Sequence, residues 1–403
     1  MSFMNLSREQ QNELLFVGFN QDSGCFACGT DTGFKIFNCD PFKETFHRDF
    51  TNGGIGIVEM LFRCNILAIV GGGRNPRYPP NKSSYVLFRV APQVMIWDDH
   101  QSRNIGELSF RSEVKAVKLR RDRVVVVLQN KIYVYNFSDL KLVDHIETIA
   151  NPKGLCALCP STSNTVLACP GVSRGTVRIE LYDLRKTTLI TAHEAELSQI
   201  CLNLEGTRLA TASDKGTLIR IFDTQSGQIM QELRRGADRA DIYSICFSPN
   251  SQLLACSSDK GTVHVFAMTT EGSGTSSTFS SEHSSISPAS PAVPAPHYSN
   301  VSNGPRSGVE DDGTENSKSS FSFMRGLLPK YFSSEWSFAQ FRVPETRTIC
   351  AFGAEKNTII GMECLRWTCV VGADGSFYKA VFDANGECQN TSYSKFIQSD
   401  EDE

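Results

Sequence analysis

Two adjacent arginines, Arg234 and Arg235, close a run at 216–233 that reads as two β-strands and a turn. Successive strand residues point to opposite faces. The pair is therefore placed to serve two pockets, one on each side of the strand. Each guanidinium offers a planar fork of donors matched to phosphate. Small polar residues lie in the flanking sequence: Ser213, Thr217 and Arg220 before the pair, and Ser258, Thr262 and His264 after it. The chemistry suggested is recognition of two phosphates astride one dipeptide. A basic strand edge that discourages aggregation uses the same residues, and the dipeptide alone leaves both readings open.

The chain of 403 residues has room for two or three average domains or one large all-β domain. A hydrophobic fraction of 40% with 10% aromatics is enough for a substantial core. The net charge of −4 argues against a generally basic nucleic-acid binder and against membrane attachment by bulk charge. Any attraction to anions must be local. Residues 1–11 are polar and lack the apolar core of a signal peptide. No apolar run approaches the roughly 18 residues of a spanning helix. Fourteen cysteines without a secretory signal read as reduced thiols in a cytosolic protein. The two Cys-x-x-Cys pairs, Cys25/Cys28 and Cys156/Cys159, sit in strand-like sequence, where positions three apart face opposite ways. No further pair or histidine completes a zinc spacing, so they read as buried structural thiols, with no metal and no cofactor expected.

The elements that must position the arginines emerge from a repeat. Gly175-Thr-Val-Arg-Ile-Glu-Leu-Tyr-Asp183 resembles Gly216-Thr-Leu-Ile-Arg-Ile-Phe-Asp223 and Gly261-Thr-Val-His-Val-Phe266, and these copies start 41 and 45 residues apart. Gly33-Phe-Lys-Ile-Phe37 and Gly375-Ser-Phe-Tyr-Lys379 are fainter copies. Small-residue strands precede the last two strong copies, Leu209-Ala-Thr-Ala-Ser213 and Leu254-Ala-Cys-Ser-Ser258. Before those stand Ile200-Cys-Leu-Asn203 and Ile245-Cys-Phe-Ser248. Three to four short strands per repeat of about 40 to 45 residues is the pattern of a β-propeller blade. The expected fold is all-β: a single seven-bladed WD40-like propeller with blades at 14–50, 54–110, 113–149, 153–192, 196–236, 241–344 and 347–396. Trp97-Asp98 is the only Trp-Asp dipeptide, with Tyr182-Asp183 and Phe222-Asp223 in equivalent places. Residues 1–13 read as an N-terminal tail, 14–396 as the propeller and 397–403 as an acidic C-terminal tail.

Two blades are long. In the second, a triple glycine at 71–73 is followed by no helix able to supply dipole and amide donors, so it reads as a turn rather than a phosphate loop. In the sixth, a loop at 269–335 separates two strands. Its 269–320 half is rich in Ser, Thr, Gly and Pro and too poor in large apolar groups to bury a core. Its second half concentrates Phe321, Phe323, Met324, Leu327, Leu328, Tyr331 and Phe332, with Arg325 and Lys330 among them. Apolar groups flanked by cations suit insertion into a bilayer interface; packing back onto the propeller rim accommodates them equally.

The repeats, the Leu233-Arg-Arg-Gly236 stretch and the long sixth-blade loop together resemble the PROPPINs, the WD-repeat phosphoinositide-interacting propellers of autophagy. The resemblance covers nearly the whole chain and looks closest to the smaller, ancient branch of that family. It is carried further by Gly18-Phe-Asn-Gln-Asp22, Val58-Glu-Met-Leu-Phe-Arg-Cys64, Val114-Lys-Ala-Val-Lys-Leu-Arg-Arg-Asp122, Asn151-Pro-Lys-Gly-Leu155 and Leu327-Leu-Pro-Lys-Tyr-Phe-Ser-Ser334. The resemblance implies a peripheral membrane protein that binds phosphatidylinositol 3-phosphate and phosphatidylinositol 3,5-bisphosphate. Carried over by motif, a first headgroup site uses His193, Thr211, Ser213, Gly216, Thr217, Arg220 and Arg234. A second uses Arg235, Gly236, Ser258, Thr262 and His264. The resemblance also implies a cytoplasmic protein recruited to preautophagosomal, phagophore and endosomal or lysosomal membranes. Autophagy proteins such as the lipid-transfer machinery are the implied partners.

By the same analogy Asn20 and Asp22 are candidate partner contacts, although Asn-Gln-Asp is also good turn chemistry. Ser287-Pro288 and Ser290-Pro291 offer phosphate acceptors in the loop, where added negative charge opposes membrane contact. Residues 83–93 and 362–369 depart from the family's strand-to-strand pattern. A WD-type scaffold that reads a protein and ignores lipid is the alternative function. No catalytic constellation stands out, and a non-enzyme is expected.

Overall fold

Short alternating strands joined by tight turns pair with their neighbours in sequence. The computed structural model consists of such meanders, and it describes residues 3–5, 14–50, 53–74, 76–77, 93–269, 316, 334–353, 366–383 and 385–397. Seven sheets, antiparallel except for one added edge strand, follow one another along the chain in the described residues. They make a seven-bladed β-propeller, as the repeat spacing predicts. Blade 5, which carries the arginine pair, runs outward through Leu197–Leu202, Arg208–Ser213, Leu218–Asp223 and Ile229–Arg234. Blade 6 follows with Ile242–Phe247, Leu253–Ser258, Thr262–Ala267 and, beyond the long loop, Ala339–Arg342.

Burial falls from the axis outward. Leu253–Ser258, second from the axis, is buried at every position, whereas the outermost strand of blade 1, Phe42–Asp49, is half-buried or exposed throughout. Blades converge towards the axis, so small side chains are needed there. Ala68, Ala168, Ala210 and Ala255, at equivalent points of four second strands, are all fully buried. This is the physical content of the repeated small-residue strand.

The ring closes between blades 7 and 1. All four strands of blade 7 come from the C-terminal stretch, Thr348–Phe352, Arg366–Gly372, Ser376–Phe382 and Cys388–Lys395. The two blades adhere through one hydrophobic cluster that includes Val17, Phe26, Phe37, Ile349, Trp367 and Phe377. Phe26 is its hub, with ring centroids 5.1 Å from Phe37, 6.0 Å from Phe377 and 5.2 Å from Phe396.

Four expectations are corrected. The N-terminal tail is not wholly outside the domain: Phe3–Asn5 pairs antiparallel with Leu14–Phe19, adding a strand on the inner side of blade 1. Met4 is buried there, Phe3 stacks on Phe16 at 6.0 Å, and Lys118 Nζ sits 4.4 Å from the Phe3 ring. Three residues were too few to show a periodicity. Second, the chain emerging from the long loop does not enter blade 6 directly. Glu335–Trp336 first pairs in parallel with the outer edge of blade 5, Leu233 opposite Glu335 and Arg234 opposite Trp336. Third, part of the stretch at 362–369 is regular: Arg366–Gly372 pairs on both sides, with Thr348–Phe352 and Ser376–Phe382. Fourth, Gln93 is the first residue of a blade 2 strand, Gln93–Asp98, not part of an interruption.

Candidate functional site

Directly opposed residues in an antiparallel ladder share a face. In blade 5 Thr211 lies opposite Arg220, Arg220 opposite Glu232, and Leu218 opposite Arg234. Thr211, Arg220, Glu232 and Arg234 therefore project from one face. His193, in the connector from blade 4, joins them with its Nε2 3.0 Å from Thr211 Oγ1. Arg220 donates from Nη1 to the Ala192 carbonyl at 2.6 Å and from Nε to Glu232 Oε2 at 2.9 Å. Arg234 donates from Nη2 to Ser334 Oγ at 3.3 Å, and that hydroxyl donates to Glu232 Oε1 at 2.9 Å.

Arg235 follows the last residue of the strand and turns the other way. Its backbone N–H donates to Thr217 O at 3.0 Å and its Nε to Gly216 O at 2.9 Å, while Nη2 donates to the Asp238 carbonyl. Its charge reaches His264 on blade 6. His264 Nδ1 lies 3.1 Å from Ser337 Oγ. The blade 6 turn beside it is built by Ser258 and Thr262: Lys260 N–H donates to Ser258 Oγ at 3.4 Å and Thr262 Oγ1 to Lys260 O at 3.4 Å. Two clusters thus stand on opposite sides of the arginine dipeptide, His193, Thr211, Arg220 and Arg234 on one and Arg235 and His264 on the other. Ser213, Gly216 and Thr217 lie at the blade 5 turn between them, and the carbonyls of Gly216 and Thr217 are bound to Arg235 rather than to the first cluster.

Both histidines are pushed down to about 4, by burial first and then by the neighbouring guanidinium, Arg220 for His193 and Arg235 for His264. At neutral pH each is an uncharged hydrogen-bonding group in an otherwise cationic cluster. The two glycines differ. Gly216 has φ +63° and a Cβ there would fall 1.8 Å from Ala240 O, so the backbone itself demands glycine. At Gly236 a Cβ would meet nothing within 4 Å, and protein packing makes no such demand.

Sequence reasoning missed Glu232, Ser334 and Ser337. Glu232 was detectable, since it stands two residues before Arg234 on an alternating strand and must share its face. Ser334 lies 100 residues of chain from Arg234 and Ser337 lies 73 residues from His264, and only the fold brings them there. Asn20 is placed inside rather than at the surface: it is 1% exposed, its Nδ2 donates to Phe62 O at 3.2 Å and its Oδ1 accepts from Cys25 N–H at 3.1 Å. Asp22 is exposed and paired with Arg63 at 3.0 Å. The apolar residues Phe321, Phe323, Met324, Leu327, Leu328, Tyr331 and Phe332, like Ser287 and Ser290, lie outside the described residues. Cys28, Cys156 and Cys159 are buried and Cys25 partly so; burial pushes the Cys25 thiol up to about 11 and that of Cys156 to about 12. Among the described residues no group of three or more metal-ligating side chains converges, and no helix is long and apolar enough to cross a membrane.

The molecule is thus a seven-bladed β-propeller with two histidine-bearing clusters on either side of one Arg-Arg dipeptide. The chain belongs to the PROPPIN family, whose model matches residues 13–287. It is 40% identical over 377 residues to autophagy-related protein 18e of Arabidopsis thaliana, covering 92% of this chain and 84% of that one. It is 33% identical to autophagy-related protein 18 of Dictyostelium discoideum, over 88% of each chain. Among solved structures, Kluyveromyces lactis Hsv2 superposes with a TM-score of 0.65 at 21% identity, over 94% of this chain and 98% of that one. KlAtg21, in its complex with the coiled coil of AgAtg16, superposes with a TM-score of 0.65 at 22% identity, over 96% and 100%. These structural likenesses bear on the fold.

Proposed function

We propose that this protein is a non-enzymatic phosphoinositide effector. It binds phosphatidylinositol 3-phosphate and phosphatidylinositol 3,5-bisphosphate on membranes and recruits autophagy machinery there during autophagosome formation. The observation that carries the reading is the placement of Arg234 and Arg235 in two separate clusters, each with a buried neutral histidine. A phosphomonoester takes charge-assisted bonds from the guanidinium groups and further bonds from hydroxyl and imidazole. The open space at Gly236 is consistent with close approach of a ligand to the backbone of the second cluster. Single cations near an anionic surface contribute only about 1 kcal/mol. Two sites on one rigid rim act as a bivalent binder. Apolar side chains of the long loop add about 25 cal/mol per Å² that they bury in the bilayer.

The negative net charge makes attachment depend on the headgroup rather than on bulk charge. The protein acts as a bridge, and exposed Asp22 is a candidate contact for a partner such as the lipid-transfer machinery. The complex of KlAtg21 with the coiled coil of AgAtg16 shows the kind of partner that a related propeller holds.

The test is co-sedimentation with vesicles carrying phosphatidylinositol 3-phosphate, the 3,5-bisphosphate or phosphatidylserine at matched charge, for wild type and Arg234→Ala/Arg235→Ala. The variant forgoes hydrogen bonds to Gly216, Asp238 and Ser334 and is expected to fold with a modestly lower melting temperature. Selective binding to the phosphoinositides, lost in the folded variant, supports the reading. Equal binding to phosphatidylserine, or none, leaves a protein-interaction scaffold as the better account.

A further inference from the structure

Glu232 is an odd residue to find in a cluster suited to anions. Its carboxylate sits between the two arginines of the first cluster, directly paired with Arg220 at 2.9 Å. Ser334 links it to Arg234: Oγ donates to Glu232 Oε1 at 2.9 Å and accepts from Arg234 Nη2 at 3.3 Å. The Arg220 and Glu232 side chains are 30% and 24% exposed. The pair is only partly buried, so a ligand arriving from solvent can reach it. The second cluster is built otherwise, for Arg235 donates to the carbonyls of Gly216 and Asp238.

We propose that Glu232 is a resident counter-anion that sets the affinity of the first site, occupying Arg220 until a phosphomonoester displaces it. The inference rests on reading that cluster as a headgroup site. The competition is one of charge and geometry. A phosphomonoester carries about −1.5 to −2 and three acceptor oxygens, against a single charge and two oxygens on the carboxylate. It outbids Glu232 for the Arg220 fork and engages Arg234 as well. The phosphodiesters and carboxylates of an ordinary anionic membrane carry one charge each and gain nothing by the exchange. Displaced, Glu232 retains Ser334 as a donor and turns towards solvent. Glu232 therefore weakens binding of every anion that must displace it, and sets the affinity of the site.

The experiment uses the full chain with Arg235→Ala, which leaves the first site as the only intact one. In that background Glu232, Glu232→Gln and Glu232→Asp are compared for soluble short-chain phosphatidylinositol 3-phosphate and for vesicles of phosphatidylserine in phosphatidylcholine. Glu232→Gln keeps the shape and removes the charge. It is expected to bind the soluble headgroup about tenfold more tightly and to gain no more than that on phosphatidylserine vesicles. Glu232→Asp, which keeps the carboxylate, stays near the parent. Ser334→Ala removes the hydroxyl that pins the carboxylate and accepts from Arg234 while leaving Glu232 in place, and a smaller gain, about threefold, is expected from it. It supplies the readout if Glu232→Gln folds poorly. Weaker or unchanged headgroup binding in Glu232→Gln, with Ser334→Ala also showing no gain, overturns the proposal by making Glu232 an orienting or purely structural group. If the parent shows no headgroup-selective binding, and adding Arg234→Ala changes nothing, the headgroup reading of the site fails, and the proposal with it.

Discussion

Burying two neutral histidines against arginines makes the stability of this propeller depend on pH in a calculable way. In the fold His193 and His264 titrate at about 4, against an ordinary value of 6.5. The unfolded chain therefore binds their protons at higher pH than the folded one. Stability is fully present above about pH 6.5 and is lost as pH falls towards 4. At pH 5 an unfolded histidine is almost wholly protonated and a folded one hardly at all, a difference of about 2 kcal/mol each and about 4 kcal/mol for both. Urea denaturation at pH 7.5 and pH 5 measures this for wild type and for His193→Gln/His264→Gln, which keeps polar groups in place but does not titrate. Carboxylates elsewhere contribute equally to both proteins and cancel. Wild type is expected to lose about 4 kcal/mol more than the variant over that interval. A phosphate placed beside either imidazole favours its charged form, so a soluble phosphoinositide headgroup at pH 5 should restore part of the loss in wild type and not in the variant. Equal pH dependence in the two proteins refutes the reasoning, because the imidazoles would then be accessible to protons in the fold.

Two further outcomes follow from the packing. Phe26→Ala empties the hub of the seam between blades 7 and 1 and should cost about 3–5 kcal/mol in chemical denaturation; a loss below about 1 kcal/mol would show that the ring closes by other means. Gly216→Ala and Gly236→Ala should diverge: the first lowers the melting temperature, since φ is +63° and Ala240 O blocks the new methyl group, while the second leaves it unchanged and weakens headgroup binding. A Gly236→Ala protein with unaltered vesicle binding argues against ligand approach at that point.

The repeat carried most of the fold. A turn glycine, an alternating strand and a small-residue strand at 41- and 45-residue intervals are local features, and seven such units have one economical arrangement. Breaks in that local pattern were harder to read. Phe3–Asn5 was too short to show alternation, and Glu335–Trp336 pairs with blade 5 although its neighbours in sequence belong to blade 6. The arginine pair was legible because successive residues at a strand end turn opposite ways, and Arg220 stands on the strand paired with Ile229–Arg234. Burial of Asn20 was not legible, since a residue favoured in turns is also the one that ties the blade 1 turn to the backbone of Phe62.

Sequence by itself determined what recurs at short range: strands, turns, the number of blades and the two-sided placement of Arg234 and Arg235. Tertiary structure decided what those arginines touch. Ser334 reaches Glu232 and Arg234, and Ser337 reaches His264, only because a strand returning from a long loop docks across blades 5 and 6. It also decided that both histidines are neutral, since their titration is governed by burial and by guanidinium groups brought close by the fold. Short-range geometry is written in side-chain spacing, whereas desolvation and long-range pairing exist only once distant strands have been packed together.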